Sequence, residues 1–324
     1  MMNAAGSAAV MLLGLTGAVL APLPEAHAQT VHYTMPIAEI EARLRTGDFT
    51  IIDWRGSRKP EDRTQRVALE FPDSALIVAK WAGAPSGGAR FNNEPRYELA
   101  AYEIQKLFLD PSDYVVPPTV IRAFPLTFVA AQVPDQRPTF GQAPLSVVVA
   151  LQYWLHNVQA TDFWHPERVE TDSLYALRIA NFNIFTHLIG HIDGNIGNFL
   201  WSTEEEDPHI FSVDNGVSFG SEPSDRTDEW KFMRVRRLPR STIERLERLT
   251  HEDLEAALGV LIEFQIRDGH LIEVEPGENF SRNRGVRRND DRIQFGLTAR
   301  EIREVDSRLR SLVRDAKGSR YKLF

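Results

Sequence analysis

The sequence predicts an α+β fold in two lobes, a small β-rich N-terminal lobe and a mainly helical C-terminal lobe. Residues 50 to 151 contain β-rich runs separated by turn residues, with one amphipathic helix among them. From about Leu155 the apolar residues recur at helical spacing instead. The 324 residues are 43% hydrophobic and 25% charged, which suits one two-lobed unit rather than a disordered or membrane-embedded chain. We expect the N-terminal lobe over residues 29–154 and the C-terminal lobe over residues 155–324.

The N-terminus carries the only long apolar run, over residues 8–23. It ends in Ala26-His27-Ala28, a small-x-small pattern that suits signal peptidase. We therefore expect a signal peptide over residues 1–28, cleaved after Ala28. This predicts a secreted or periplasmic protein with no stable membrane insertion once the signal is removed. Because Lys or Arg near the start is missing, a misplaced start and an uncleaved anchor stay alternatives.

The overall charge is acidic, with 37 Lys and Arg against 45 Asp and Glu and a net charge of −8. General nucleic-acid binding is therefore not expected. The chain has no cysteine, which excludes a disulfide framework. A domain of this length buries enough apolar surface without disulfides, so export remains compatible with the composition.

Two clusters of basic residues contrast with the acidic net charge of the chain. Either cluster can be a solvated face; alternatively, the first lies along a substrate entrance and attracts an acidic peptide, a phosphorylated sugar or a polyanion. The clusters are Lys231, Arg234, Arg236, Arg237 and Arg240, and then Arg282, Arg284, Arg287 and Arg288.

The elements follow in order from periodicity and turn residues. In the N-terminal lobe we expect helices over 36–45 and 97–109 and strands over 50–54, 66–71, 75–81, 114–120 and 146–151. In the C-terminal lobe we expect a helix over 174–189, a hairpin with strands 199–201 and 209–213, and a surface loop over 276–292. Three capping boxes mark further helix starts, at Ser241/Glu244, Thr250/Asp253 and Thr298/Glu301.

The segment His191-Ile192-Asp193-Gly194-Asn195-Ile196-Gly197-Asn198 has the H-x-D-x-x-x-x-N spacing of a kinase catalytic loop. In such a loop the Asp takes the acceptor proton and the Asn holds a metal. Asp214-Asn215-Gly216 follows, and its Asp is a hard oxygen ligand suited to Mg²⁺. The predicted hairpin between the two segments would bring Asn198 and Asp214 together. An Asx-rich turn or a calcium loop is the alternative, but the apolar stretch before Glu204 makes a calcium loop a poor fit.

A phosphate clamp is predicted upstream of these segments. Lys80 ends an apolar strand, where its ammonium can serve as a point charge for phosphates. Glu98 lies on the amphipathic helix and is our choice for its partner, over Glu94 in the preceding loop and Glu103 further around the helix. Alone, Lys80 or Glu98 would be an ordinary surface residue; the order of all the parts gives them weight.

At these residues the sequence resembles the atypical branch of the protein-kinase-like fold, in particular the secretory-pathway kinases that phosphorylate secreted proteins or proteoglycan xylose. HipA-type and phosphatidylinositol kinases share looser versions. The likeness is colinear from about residue 64 to 220. Its segments are Thr64-Gln65-Arg66-Val67 through Lys80, Tyr97-Glu98-Leu99-Ala100-Ala101-Tyr102, Val115-Val116-Pro117-Pro118-Thr119 and Asp214-Asn215-Gly216-Val217-Ser218-Phe219-Gly220.

The resemblance implies a two-lobed protein-kinase-like fold that uses ATP or another nucleoside triphosphate with Mg²⁺ or Mn²⁺. Asp193 would be the catalytic base, Lys80 and Glu98 the phosphate clamp, and Asn198 and Asp214 the metal ligands. The sequence departs from the family pattern at Gly194-Asn195, where Arg-His usually follows the Asp. No Gly-x-Gly-x-x-Gly motif is present, so Gly56 and residues 57–65 would have to cover the phosphates.

The sequence therefore predicts a secreted, metal-dependent phosphotransferase acting on a hydroxyl of a protein or a glycan. Two other functions stay open. The chain could be a catalytically silent kinase-like module that binds a ligand or partner, or a nucleotidyl transferase that uses the same clamp on the α-phosphate.

Overall fold

The computed structural model describes residues 31–56, 64–90, 94–133, 136–142, 144–221 and 227–324. The expected signal peptide lies outside the described residues, as do residues 57–63 of the polar run expected to cover the phosphates. Within the described ranges no helix is long and apolar enough to cross a membrane.

The N-terminal part is built on one antiparallel five-stranded sheet with the order β1-β2-β3-β5-β4. The expected strands are present, except that the fourth begins later than predicted. The strands are β1 (Thr50–Arg55), β2 (Thr64–Glu70), β3 (Leu76–Gly83), β4 (Thr119–Pro125) and β5 (Ser146–Tyr153).

Both faces of this sheet are covered, which explains why all eight residues of β5 are buried. Val147, Val149 and Leu151 face one core, which also contains residues of helices α1 (Ile37–Thr46) and α3 (Leu126–Ala130). Alternation along the strand turns Val148 and Ala150 to the opposite face. That face packs against helix α2 (Pro95–Gln105).

The predicted strand over 114–120 is wrong for its first five residues, because β4 begins only at Thr119. Pro117 and Pro118 have no N–H to offer a ladder. The backbone before them is held by Gln105, whose Oε1 accepts from the N–H groups of Val115 and Val116, each at 2.8 Å. Helix α2 also ends four residues earlier than predicted, at Gln105, so that this side chain can serve the extended segment.

The C-terminal part is mainly helical. Helix α5 (Ser173–Ile189) is the central element; Asp172 caps its start, and Gly190, with a φ of 62°, ends it in the left-handed conformation that glycine adopts without strain. Its buried residues share one core with those of α4 (Pro166–Thr171), α6 (Arg240–Arg248), α7 (His251–Leu258) and α8 (Ala299–Lys317).

Two of the three predicted capping boxes are present. Thr250 caps α7 with Asp253, and Thr298 caps α8 with Glu301. The prediction at Ser241 is wrong, because α6 begins at Arg240 after Pro239 and has no side-chain cap. Ser241 therefore lies inside the first turn of α6, and its hydroxyl does not cap the helix.

The hairpin predicted after the catalytic-loop motif is present. Strands β7 (Phe199–Ser202) and β8 (Ile210–Ser212) pair antiparallel, and the short β6 (Val158–Gln159) joins the edge of β7. A two-residue parallel pair, β9 (Arg237–Leu238) with β14 (Lys322–Leu323), ties the chain end to the helical part.

A second antiparallel sheet, with the order β11-β10-β13-β12, is formed by residues that the sequence reading left without elements. Its strands are β10 (Ile262–Arg267), β11 (His270–Val274), β12 (Val286–Asn289) and β13 (Arg292–Phe295). The surface loop predicted over 276–292 is therefore wrong where β12 and β13 form. Phe264, Ile293 and Phe295 pack with Leu99 of α2 and with residues of β4 and β5 in one core, so this sheet shares a core with the glutamate-bearing helix.

The second basic cluster is not wholly a solvated face. Arg287 is only 2% exposed. Its guanidinium donates to the carbonyl oxygens of Ser281, Arg284, Gly259 and Leu297. Four backbone acceptors for a buried cation explain how the charge is tolerated there, and Arg287 is a structural residue.

Candidate active site

Lys80 projects from β3 toward α2, because strand alternation gives it the opposite face to Ala79 and Trp81, which are in the other core. Its Nζ lies 3.3 Å from Glu98 Oε1, 3.1 Å from the carbonyl oxygen of Val213 and 3.7 Å from Asp214 Oδ1. The structure therefore brings Lys80, Glu98 and Asp214 into one cluster, although 134 positions separate Lys80 from Asp214.

Glu98 is held from two sides. Besides the contact with Lys80, its Oε2 accepts a hydrogen bond of 3.0 Å from the backbone N–H of Asn215. The two competing carboxylates lie elsewhere: Glu94 pairs with Arg96 at 2.6 Å, and Glu103 pairs with Lys106 at 2.9 Å. Of the three glutamates, only Glu98 contacts Lys80 and the Asp214 segment.

Burial raises the pKa of Glu98 to about 7, against the lowering effect of Lys80 and with a further raising effect of Asp214. The Asp214 side chain is 50% exposed. Desolvation by the neighbouring groups acts to raise its pKa, but the Lys80 ammonium and a hydrogen bond from the Glu98 carboxyl outweigh this effect, and the pKa of Asp214 is lowered. The two environments thus move the pKa values of the two carboxyl groups apart, with Glu98 the more readily protonated of the two.

His191 connects the two motif segments. Its Nδ1 accepts a hydrogen bond of 3.2 Å from the backbone N–H of Asp193, which leaves the proton on Nε2. Nε2 then donates to the carbonyl oxygen of Asp214 at 3.0 Å. Burial lowers the pKa of His191, in keeping with a neutral ring that braces both segments.

Asp193 lies just beyond the end of α5, and it is 5% exposed. The Asn195 side-chain amide donates to its Oδ1. Sequence reasoning treated Asn195 only as a departure from the family pattern and missed this contact. The spacing of two residues was the available signal, because Asx side chains frequently bond to groups two positions away.

Gly194 has a packing role that sequence reasoning also missed. Its N–H donates to the carbonyl oxygen of Thr227 at 2.6 Å, and a Cβ at this position would lie 3.1 Å from the same oxygen and 3.5 Å from Trp230. The absence of a side chain lets the segment from Thr227 to Phe232 lie directly beside the catalytic loop.

Asn198 lies next to the Asp214 segment across the hairpin. Its side-chain amide donates to the carbonyl oxygen of Asp193 at 2.9 Å, and its own carbonyl accepts from Val213 N–H at 2.9 Å. Phe199 pairs with Ser212 in the ladder, so the residues on either side of this pair are neighbours. The carboxamide oxygen of Asn198 and the carboxylate of Asp214 therefore belong to the same region.

The donor set fits a hard divalent cation that is shared with phosphates. Asp214 and Asn198 offer oxygen atoms, as Mg²⁺ and Mn²⁺ prefer, and Glu98 is a second carboxylate beside Asp214. In the part of the chain that the structure describes, no group of three His, Cys, Asp or Glu side chains could hold a metal alone. Mg²⁺ sites that use one or two carboxylates together with substrate phosphates have this character.

The first basic cluster begins beside the catalytic loop, but several of its members are committed to structure. Arg234 pairs with Glu229 at 2.5 Å, and its guanidinium lies 4.8 Å from the ring of Trp230. Arg237 donates to the carbonyl oxygen of Val169. Arg236 and Arg240 are exposed, so the cluster is divided between structural and solvated residues.

Comparison with known proteins finds a similar fold among solved structures but no match by sequence. No protein-family model and no curated protein matches the chain. Among solved structures, a hydra Fam20 structure described with sugar matches with a TM-score of 0.53 and 16% identity, covering 89% of this chain and 92% of that one. A crystal structure of the Golgi casein kinase matches with a TM-score of 0.51 and 14% identity, covering 87% and 76%. The chain has a Fam20-like atypical kinase fold.

This fold confirms the predicted α+β, kinase-like architecture. At 14–16% identity the likeness extends to the fold alone. Function must therefore be argued from the residues of the site.

Proposed function

We propose that the protein is a secreted kinase that transfers a phosphoryl group from ATP, or another nucleoside triphosphate, to a hydroxyl of a protein or glycan. The observation that carries this proposal is the convergence of Lys80, Glu98 and Asp214, with Lys80 Nζ within 3.7 Å of both carboxylates. Phosphoryl transfer requires this combination of a fixed cation and oxygen ligands for a metal.

In the proposed reaction Lys80 contacts the phosphates, and Glu98 fixes the direction of its ammonium. Asp193 accepts the proton of the acceptor hydroxyl. The hydroxyl oxygen forms a bond to the γ-phosphorus while the bond between that phosphorus and the leaving diphosphate breaks. Asn195 orients the Asp193 carboxylate through its amide. Asp214 and Asn198 would hold Mg²⁺ or Mn²⁺, which would neutralise the phosphate charge when bound.

The names of the neighbours support the acceptor class. One structure is described with sugar and another is a casein kinase, so glycans and secreted proteins are the acceptors to test first. The apolar run that ends at Ala28 supports the proposed export.

The test uses Asp214→Asn, Asp193→Asn and a control, Asp290→Asn, in the exposed turn between β12 and β13. With Mn²⁺ and ATP, we expect a thermal shift and ADP release for the wild type and the control. Asp214→Asn should lose the thermal shift, whereas Asp193→Asn should keep it and lose turnover by roughly 100-fold or more. A wild type that shows no thermal shift with any nucleoside triphosphate and Mg²⁺ or Mn²⁺ would contradict the proposal.

Mass spectrometry of an acceptor separates the remaining functions. The mass of one phosphoryl group added supports the kinase, and the mass of a whole nucleotide indicates nucleotidyl transfer. Nucleotide binding without turnover on casein or on xylosides would indicate a catalytically silent binding module.

A further inference from the structure

A buried ion pair connects helix α2 to helix α8 on the side of α2 opposite to Lys80. Arg96 of α2 is 5% exposed, and Glu301 in the first turn of α8 is 6% exposed. The two are bidentate, with Arg96 Nη1 to Glu301 Oε2 at 2.7 Å and Nη2 to Oε1 at 2.9 Å. Because a helix turns about 100° per residue, Arg96 and Glu98 point about 200° apart.

Glu301 also reaches the Asp214 segment, through Tyr97. The Tyr97 hydroxyl donates to Glu301 Oε1 at 2.5 Å, and its ring lies 5.5 Å from that of Phe219. Phe219 follows Asp214 by five residues and adopts a φ of 55°, which is unusual for a non-glycine residue. Its N–H is held by the carbonyl oxygen of Ile189 at 2.6 Å. One carboxylate therefore contacts the helix of Glu98 directly and the end of the Asp214 segment through one ring.

The second sheet and its loop close this cluster from outside. Arg96 Nη1 also donates to the carbonyl oxygen of Gly296, at 3.2 Å. Gly285 packs on the guanidinium so tightly that a Cβ there would lie 2.2 Å from Arg96 Nε. Gly285 and Gly296 therefore confine the Arg96 guanidinium on the side that faces this loop.

Arg96 and Glu301 form an ionised pair whose bidentate geometry fixes their relative orientation. Burial acts to raise the pKa of Glu301, but the hydrogen bonds and charge of Arg96, with those from Tyr97 and the Thr298 N–H, outweigh it and lower the pKa. Buried pairs of this kind contribute little net stability relative to apolar residues, but a bidentate pair fixes orientation. Orientation is what Glu98 needs, since rotation of α2 would remove its carboxylate from Lys80.

We infer that Glu301 is a positioning residue of the nucleotide site: through Arg96 and Tyr97 it sets the rotation of α2 and the course of residues 214–220. This inference rests on the proposed function for its kinetic consequence. It makes helix α8 a support, within the chain, for the contact between Glu98 and Lys80.

The chain offers a matched pair of variants. Glu301→Gln keeps the N3 side chain that a capping box accepts, but removes the charge that Arg96 binds. Thr298→Ala breaks the same cap, at a cost of about 1 kcal/mol, but leaves the Arg96–Glu301 pair intact. The two variants thus separate loss of positioning from simple weakening of α8. Tyr97→Phe is a milder third variant, which removes only the hydroxyl bond.

Two measurements are decisive. Without nucleotide, hydrogen exchange of α2 and of residues 214–220 should accelerate about tenfold in Glu301→Gln and not in Thr298→Ala. With Mn²⁺ and ATP, Glu301→Gln should raise KM for the nucleotide about tenfold, whereas a loss of folded protein would lower only the apparent kcat. Tyr97→Phe should increase hydrogen exchange and KM in the same way, but by less than Glu301→Gln.

The outcomes distinguish this inference from the proposed function. Unchanged exchange of α2 in both Glu301→Gln and Tyr97→Phe would overturn the positioning role, whether or not the wild type is active. Equal effects of Glu301→Gln and Thr298→Ala on exchange and on KM would do the same, because helix capping alone would then explain them. A wild type without nucleotide binding would contradict the proposed function, and the exchange measurement would still decide the role of Glu301.

Discussion

The backbone N–H of Asn215 donates to Glu98 Oε2 across 3.0 Å, so the helix glutamate is bonded to the chain next to Asp214 as well as to Lys80. The Glu98 carboxylate must present an acceptor oxygen to this N–H. Glu98 thereby joins Lys80 of β3 to the segment that follows β8.

Glu98→Gln should weaken binding of Mn²⁺ and ATP by about 10–100-fold, because the amide gives up the charge that orients Lys80 and can present a donor to the Asn215 N–H. Isothermal titration measures this affinity. Glu103→Gln is the matched control on the same helix, since Glu103 pairs with Lys106 rather than Lys80. Equal losses in both variants would show that the helix, and not the Glu98 carboxylate, is responsible.

Asn195→Ala should lower turnover roughly tenfold while leaving nucleotide affinity unchanged, because it removes one hydrogen bond that orients the Asp193 carboxylate without touching Lys80 or Asp214. ADP release at saturating ATP, together with a binding titration, checks both parts. A parallel fall of affinity and turnover would contradict an orienting role for Asn195.

Gly285→Ala should destabilise the protein by about 1–3 kcal/mol, because the added methyl meets a guanidinium that Glu301 holds in place. Chemical denaturation measures the loss. Gly83→Ala is the control, as a Cβ at that position meets nothing within 4 Å. If Gly285→Ala is as stable as Gly83→Ala, Arg96 has more freedom than its contacts indicate.

His209 should make the protein less stable in acid. Burial, aided by the nearby Arg178, lowers the pKa of His209 to about 3, well below its ordinary value of 6.5. The folded state therefore binds fewer protons than the unfolded state between these values. Its contribution to stability is complete above pH 6.5 and is lost as the pH falls toward 3.

His209→Gln should accordingly cost stability at pH 7, where the ring stacks on Phe211 at 4.2 Å and bonds to the Tyr114 carbonyl at 2.9 Å. The difference from wild type should shrink by up to about 3 kcal/mol at pH 4. Urea denaturation at several pH values measures it. Parallel pH profiles for the two proteins would show that other groups cause the acid sensitivity.

Local elements were predictable where neighbouring residues decide them. The β7–β8 hairpin and the Thr298 capping box depend on turn residues and spacings within a few positions, and both are present. The prediction at Ser241 failed because Pro239 and Arg240 start the helix without its hydroxyl. The strand predicted from residue 114 failed because Gln105, nine positions earlier, satisfies the backbone that a ladder would have used.

The sequence by itself determined the α+β class, the order of the motif residues and the local turns that present them. The sequence favoured Glu98 as the partner of Lys80, but only the tertiary structure sets the contact itself, because it depends on the rotation of α2 between β3 and α8. The pairing of Arg96 with Glu301 spans 205 positions and leaves no periodic signal, since any buried carboxylate could have served. Long-range polar contacts of this kind are specified by packing, and here they hold the candidate site together.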